Sequence, residues 1–350
     1  MGDYTIRELQ DGDVESLLAS VARTFGPRAA RTREQWEWAF ARNPAGRRSF
    51  VALHGSEVVG QFAAIPTRVW LDGRERVFAQ GVDSFVLPEH RAGLKRPGLF
   101  VAIARACFEA HAARTGRDGD PVYYGLPVEQ AWRIGNRFLG YEVVRTELAL
   151  ARELAPTGEL ASGGKLATGD ELALGHAAVL PRNVARIERF DEQAKWLWDR
   201  CAGEWPASAI RDAAHLNWRL FDSPASLGRR CEVLGARDEH GILRGFVAWR
   251  RASFVLDDLA VLVDWCVPFA EPDVGEALLA ALVASAAASG APALAGIVPP
   301  WSPWFAWFQE RGFLVHPTDY RMAAVSFERR FDAAWLATNW WYQLSDTDLV

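Results

Sequence analysis

The sequence lacks the residues that mark disulfide scaffolds, metal centres and secreted chains. Its four cysteines, Cys107, Cys201, Cys231 and Cys266, show no CxxC or Cys/His spacing. They fit reduced, mostly buried thiols better than a disulfide framework. The seven histidines are dispersed without an HExxH-like pair, so no metal is expected. Basic residues are not in excess, and the net charge of -5 argues against nucleic-acid binding. The start, Met1-Gly2-Asp3-Tyr4, has neither the basic nor the apolar region of a signal peptide. The most apolar stretch, Ala277 to Ala288, is too short to span a bilayer and reads as a packed Ala-rich helix. No Gly-x-Ser-x-Gly elbow or evident Cys/His pair supplies a covalent nucleophile. These absences leave a cytoplasmic, soluble, globular chain with no membrane partner as the expectation.

What is present suffices for two cores. The 350 residues are half hydrophobic and 24% charged, close to two domains of ordinary composition. Strand and helix patterns alternate from Tyr4 to Leu150. A Gly-, Ala-, Ser- and Thr-rich stretch follows, and ordered patterns resume at Arg182. The expected division is a first domain over 1–150, a connection over 151–181 and a second domain over 182–350.

The two ordered halves repeat each other. Trp38 precedes Pro44, and Trp218 precedes Pro224, by six residues in both cases. Each proline leads into a hairpin, Phe50 to Gly60 and Cys231 to Gly245. Each half closes on an aromatic-rich helix followed by Gly140-Tyr141 or Gly312-Phe313, where glycine suits the left-handed position after a helix. The two tryptophans read as core anchors that mark the register of the repeat.

The most informative segment runs from Gly81 to His111. The strand Ser84–Leu87 ends in the turn Pro88-Glu89-His90-Arg91. A Gly-rich basic loop, Ala92 to Gly98, then enters the helical run Val101–Phe108. Free N–H groups and the helix dipole at such a junction favour an anion, and Lys95 and Arg96 add full positive charge. The second half has Pro268 to Glu276 at this point, with carboxylates and no basic residue. That copy is expected to be degenerate for a phosphate ligand.

Val86-x-Pro88-Glu89-His90-Arg91 followed by Lys95-Arg96-Pro97-Gly98-Leu99 resembles the signature of the GNAT superfamily of N-acetyltransferases. Pro121–Pro127, the helix Val128–Leu139 and Gly140-Tyr141 are similar to that family's closing strand and helix. The resemblance covers roughly residues 4–145, with a weaker echo over 186–330. It implies a mixed α/β (α+β) fold of two tandem GNAT-like domains, each a mostly antiparallel twisted sheet flanked by helices. It also implies acetyl-CoA, or another acyl-CoA, as cosubstrate. The acyl group would pass by direct attack to a primary amine on a small molecule or peptide. The cofactor-binding positions it implies are Phe85, Val86, Leu87, Arg91, Lys95, Arg96, Gly98, Leu99 and Phe100. The chain departs from the pattern in the three residues Ala92-Gly93-Leu94, in Lys95 for Arg or Gln, and in Phe100 for a small residue.

For the chemistry, Asp83 is a candidate base on the strand nearest the thioester, or else a polar strand residue satisfied by neighbouring backbone. Tyr124 is a candidate acid for the departing thiolate, or else packs between sheet and helix. The family's usual tyrosine acid falls on Asn136, which cannot act as one. The tail Asn339 to Val350 reads as a final strand with a solvated acidic end. Resemblance to some tandem members would instead carry Asp346, Asp348 or the Val350 carboxylate toward the first cleft. The aromatic run Trp301–Phe308 reads as core packing or as a pocket wall. Alternative functions are a non-catalytic acyl-CoA-binding module and an aminoacyl-tRNA-dependent transferase, the latter disfavoured by the acidic charge. Exposed aromatic surface is compatible with a homodimer.

Overall fold

A computed structural model of the chain describes residues 4–26, 30–91, 97–114, 118–154 and 180–348. Alternating apolar runs punctuated by glycine turns build the first meander: β1 (Tyr4–Glu8), β2 (Arg48–His54), β3 (Glu57–Leu71) and β4 (Arg74–Val86). All neighbours in it are antiparallel. Helices α1 (Val14–Phe25) and α2 (Arg33–Trp36) lie between β1 and β2. After β4 come α3 (Leu99–His111), β5 (Val122–Gly125), α4 (Glu129–Leu139) and β6 (Glu142–Glu153), and β5 runs parallel to β4.

The second half repeats this order. It holds β7 (Val184–Arg186), α5 (Gln193–Ala202), β8 (Ala207–Ala209), α6 (Ala213–Leu220), β9 (Glu232–Arg237), β10 (Leu243–Ala252) and β11 (Leu259–Cys266). Then follow α7 (Pro272–Ala288), β12 (Ala293–Ile297) parallel to β11, α8 (Pro303–Gln309) and β13 (Leu314–Ser326). The chain closes through α9 (Ala333–Asn339) and β14 (Trp340–Trp341). Gly140 (φ 76°) and Gly312 (φ 84°) take the left-handed conformation expected after α4 and α8. The Ala-rich run is the packed helix α7, and Trp304 and Phe308 of α8 are buried against Trp265.

The two expected sheets are one. Strand order is β1-β2-β3-β4-β5-β13-β6-β12-β11-β10-β9-β7, with β8 joining β3 to β14. The strand after each closing helix is donated to the other half: β13 pairs with β5, and β6 pairs with β12. β13 and β6 also pair with each other. Short local turns cannot seat these strands, so each half depends on the other for its last ladder. β6 runs past residue 150, and most of the expected 151–181 connection lies outside the described residues.

The repeat has a constant offset. Trp38 and Trp218, 180 positions apart, stack at 5.2 Å with rings 21° apart. Each indole N–H donates to the other's backbone carbonyl, at 2.9 and 2.8 Å. Both lie within a widened helical turn, closed by Arg42 N–H to Glu37 O and by Asp222 N–H to Asn217 O. The register marks therefore meet each other at the centre of the molecule.

Beside this pair, His215 of α6 is buried. Burial, reinforced by the positive charges of Arg211, Arg219 and Arg68, holds its imidazole down at about 3. The folded-state value lies below the unfolded one, so the unfolded chain binds the extra proton between about pH 6.5 and 3. Stability from a neutral His215 is complete above that window and falls with pH through it, with a slope of about 1.4 kcal/mol per pH unit. Denaturation of His215→Gln followed from pH 7 to 4 should show a stability curve flatter than wild type by about one proton's slope.

Candidate functional site

The site begins with a mismatch in β4. Gln61 pairs with Phe85 but Ala63 pairs with Val82, so β4 carries one extra residue there. Asp83 absorbs the bulge with φ 48°, a conformation that aspartate tolerates better than most residues. The parallel ladder between β4 and β5 extends only to Gln80 and Tyr124. Beyond it the two strands are no longer paired, while β5 keeps β13 on its other edge through Gly125. A cleft of about 280 Å³ opens in this fork, lined by Asp83, Ser84, Phe62, Phe100, Tyr124 and Tyr141 among others. It abuts a second hollow of about 200 Å³ lined by Phe85, Val86, Arg91 and Ile134; Ser84, Phe100, Val128 and Ala131 border both.

One edge of this cleft carries unpaired backbone. The Leu87 N–H bonds to Val59 O at 2.9 Å. In an antiparallel strand alternate residues face opposite edges, so the Val86 N–H points away from β3 into the fork. Arg91 Nε donates to Val86 O at 2.8 Å, which fixes the guanidinium at the cleft rim. At the far end Gly98 is the N-cap of α3 and makes no side-chain cap. Among the described residues no side chain caps the first N–H groups of this thirteen-residue helix, an arrangement that suits an anion. Pro97 precedes the helix and costs it no donor. Leu99 buries its side chain in the core and offers only backbone, while Phe100 stands in the cleft. Of the expected phosphate-binding set, Leu87 has its N–H committed to β3, and Lys95 and Arg96 lie outside the described residues. These features fit an elongated ligand with an anionic end.

The acid–base candidates separate. Asp83 lies at the cleft with its side chain a quarter exposed. Burial raises its carboxyl above the ordinary range, Asp348 adds to the rise, and Arg31 opposes it. Tyr124 donates its phenol to Asp346 O at 2.6 Å, so that proton is committed to the tail. Asn136 is exposed and donates to Tyr141 O at 3.0 Å, closing the turn after α4. Tyr141 itself lines the cleft, and no hydrogen bond of its phenol is found among the described residues. Its ring lies where a side chain at Gly135 would project, 2.4 Å from a Cβ placed there. Sequence reasoning missed this residue as a cleft residue because it looked for the family's phenol on the helix, whereas Tyr141 follows Gly140 just before β6.

The acidic tail is not solvated. Asp346 is buried against Arg211 at 3.1 Å. Asp348 pairs with Arg31 and, at 2.6 Å, with Arg229, and Arg31 also holds Asp83. Val350 lies outside the described residues.

The matching region of the second half is filled by the protein itself. β11 carries the same kind of extra residue, between Leu262 and Asp264. Trp265, Trp304, Trp307 and Phe308 pack together there, and Gly275 of α7 abuts Trp304. Glu204 accepts the Phe269 N–H at 2.7 Å. Glu271, the N-cap of α7, pairs with Arg244 at 2.9 Å and with Arg200. Carboxylates thus stand at the helix start where an anion would go. A hollow of about 480 Å³ lies beside Trp38 and Trp218; its polar lining is Arg42, the mutually paired Arg189 and Asp222, and Asn217, which bonds Phe190. Among the described residues no cluster of His, Cys, Asp and Glu could hold a metal, and no helix is long and apolar enough to cross a membrane.

No curated protein sequence matches the chain. Among solved structures, a probable N-acyltransferase of unknown function from Enterococcus faecalis V583 is similar over 95% of this chain and 74% of its own, with 14% identity and a TM-score of 0.62. A GCN5-related N-acetyltransferase from Kribbella flavida covers 92% and 70%, with 19% identity and a TM-score of 0.58. Saccharomyces cerevisiae N-myristoyltransferase, solved with myristoyl-CoA bound, covers 93% and 82%, with 12% identity and a TM-score of 0.56. These likenesses establish a shared two-half fold. Residues 5–143 match the family profile described as an acetyltransferase (GNAT) domain, and the chain therefore carries a GNAT-family domain in its first half.

Proposed function

We propose that the protein is an acyl-CoA-dependent N-acyltransferase that passes an acetyl or other short acyl group to a primary amine. The observation that carries this reading is the fork at Asp83. It brings an outward-facing strand edge and a titratable carboxylate to two adjoining hollows, both also lined by Phe100 of the first turn of α3. The α3 N–H groups and Arg91 hold the pyrophosphate, with Lys95 and Arg96 contributing charge from the preceding loop. The Val86 N–H orients the arm of the cosubstrate. Phe62, Phe100 and Tyr141 bound the space for the acyl group and favour a short chain.

Asp83 accepts the proton that the attacking amine loses, a role suited to a carboxyl raised by burial. Tyr141 donates to the departing sulfur. A phenol whose pKa is raised by burial remains protonated until a stronger base forms beside it. Transfer is direct: the Cys107 thiol is pushed up to about 12 by burial and packs in the core. The acceptor is a small-molecule or peptide amine, and neither nucleic acid nor membrane is part of the reaction.

Calorimetric titration with acetyl-CoA should show one bound equivalent, lost or weakened at least about tenfold in a Lys95→Glu/Arg96→Glu variant. Two equivalents would mean that the second half also binds. An amine screen by thiol release should find turnover that Asp83→Asn lowers by about 10²-fold or more, and Tyr141→Phe by about tenfold or more, without loss of CoA affinity. Binding without thiol release for any amine would leave an acyl-CoA-binding module instead.

A further inference from the structure

The Arg31–Asp83 pair at the cleft has a twin. Arg31 stands seven residues before Trp38, and Arg211 seven before Trp218. Arg31 holds Asp83 beside the bulge of β4. Arg211 holds Asp264 beside the bulge of β11, at 3.0 Å. The repeat thus preserves an arginine–aspartate pair at the same place in both halves. In the second half the pair is sealed: both side chains are at most 1% exposed, and Ser345 donates to Asp264 at 2.9 Å. In the first half Asp83 faces the cleft.

One short segment of the tail engages both pairs. Asp346 takes Arg211, and two residues later Asp348 takes Arg31. The tail is fixed independently of these charges. Gln80 of β4 accepts the Asp348 N–H at 3.0 Å and donates to Thr347 Oγ1 at 2.9 Å. Arg219 of α6 donates to Ser345 O at 2.8 Å and to Thr347 O. Arg229, preceding β9, holds Asp348 from the opposite side. Asp348 therefore cannot follow Arg31 if that side chain moves. It pins Arg31 from one end while Arg31 holds Asp83 with the other.

We propose that Asp348 is a positioning residue of the acyl-transfer site, holding Arg31 so that the Asp83 carboxylate stays at the cleft with part of its counter-charge diverted. The proposal rests on the reading of Asp83 as the base. Without Asp348, Arg31 is free to give Asp83 its whole charge, and a negative neighbour is lost as well. Both changes favour ionised Asp83. Arg229 also faces this cluster, and Arg219 faces Asp348 from α6. Burial works against the charge of Asp348, but Arg31, Arg229 and Arg219 outweigh it and hold the group at about 2, so it acts as a fixed anion while Asp83 titrates.

The test is a carbon-13 titration of the aspartate carboxyls of the full chain, with the Asp83 signal assigned from Asp83→Asn. Asp348→Asn should lower the Asp83 midpoint by about one pH unit, and Arg31→Gln should raise it by a similar amount. The acidic limb of kcat/KM for amine acylation should move with it in each variant. An Asp83 midpoint unchanged in Asp348→Asn would overturn the proposal, even if that variant is less active, since a mere brace would lower the rate without moving the limb. Shifted midpoints in a protein that acylates no amine would sustain the clamp and sink the reaction. If Arg31→Gln does not fold, the Asp348→Asn arm decides the matter alone.

Discussion

One extra residue in β4 governs the rest of the site. A parallel pair such as β4 and β5 would run on in register if both strands were regular. The bulge at Asp83 twists β4 away from β5, whose other edge stays paired with β13. The fork leaves backbone N–H groups without strand partners, a costly condition unless water or a ligand can reach them. Opening the cleft and exposing its binding edge are therefore a single event. The same bulge turns Asp83 toward the opening, so the position that makes the cleft also supplies its titratable group.

The second half shows that the bulge alone does not make a ligand site. β11 has its own extra residue, and β12 pairs with β11 only over Ala260 to Leu262. What differs is occupancy by the chain itself. Tryptophans pack against Gly275 where the first half has open space, and Glu204 takes up backbone N–H groups near the start of α7. Filling a fork with aromatic area buries apolar surface, a stable state that needs no ligand. Duplication thus allowed one fork to become core while the other stayed open.

Much of this was legible in the sequence, for identifiable reasons. The six-residue Trp-to-Pro spacing, the closing glycines and the turn from Pro88 to Arg91 are local features whose physics is set by near neighbours. The carboxylates at the start of α7 could be read from the sequence, although the tryptophan packing beside them could not. Strand exchange was hidden because β6 and β13 have the same alternation whichever half they join. The tail was misread for a related reason: aspartates at a chain end look solvated until their partners, Arg211 and Arg31, are seen to converge on them. One signal was available. The arginines share the 180-residue offset of the tryptophans, and a charged residue kept in both copies of a repeat points to a partner kept in both.

The exchanged strands and the tail impose the same condition on the cleft. β5, one wall of the fork, is held on the edge away from β4 by β13 from the second half, and the tail reaches Gln80 of β4 only after passing Arg211 and Asp264 in that half. Neither wall nor tail can be in place unless the second half is folded. The second half is then not dispensable to the cleft, because it holds β5 through β13 and anchors the tail whose Asp348 pairs with Arg31, the partner of Asp83. This gives a physical reason for the filled half to persist beside the open one. Its core is the fixed frame against which the open fork is held.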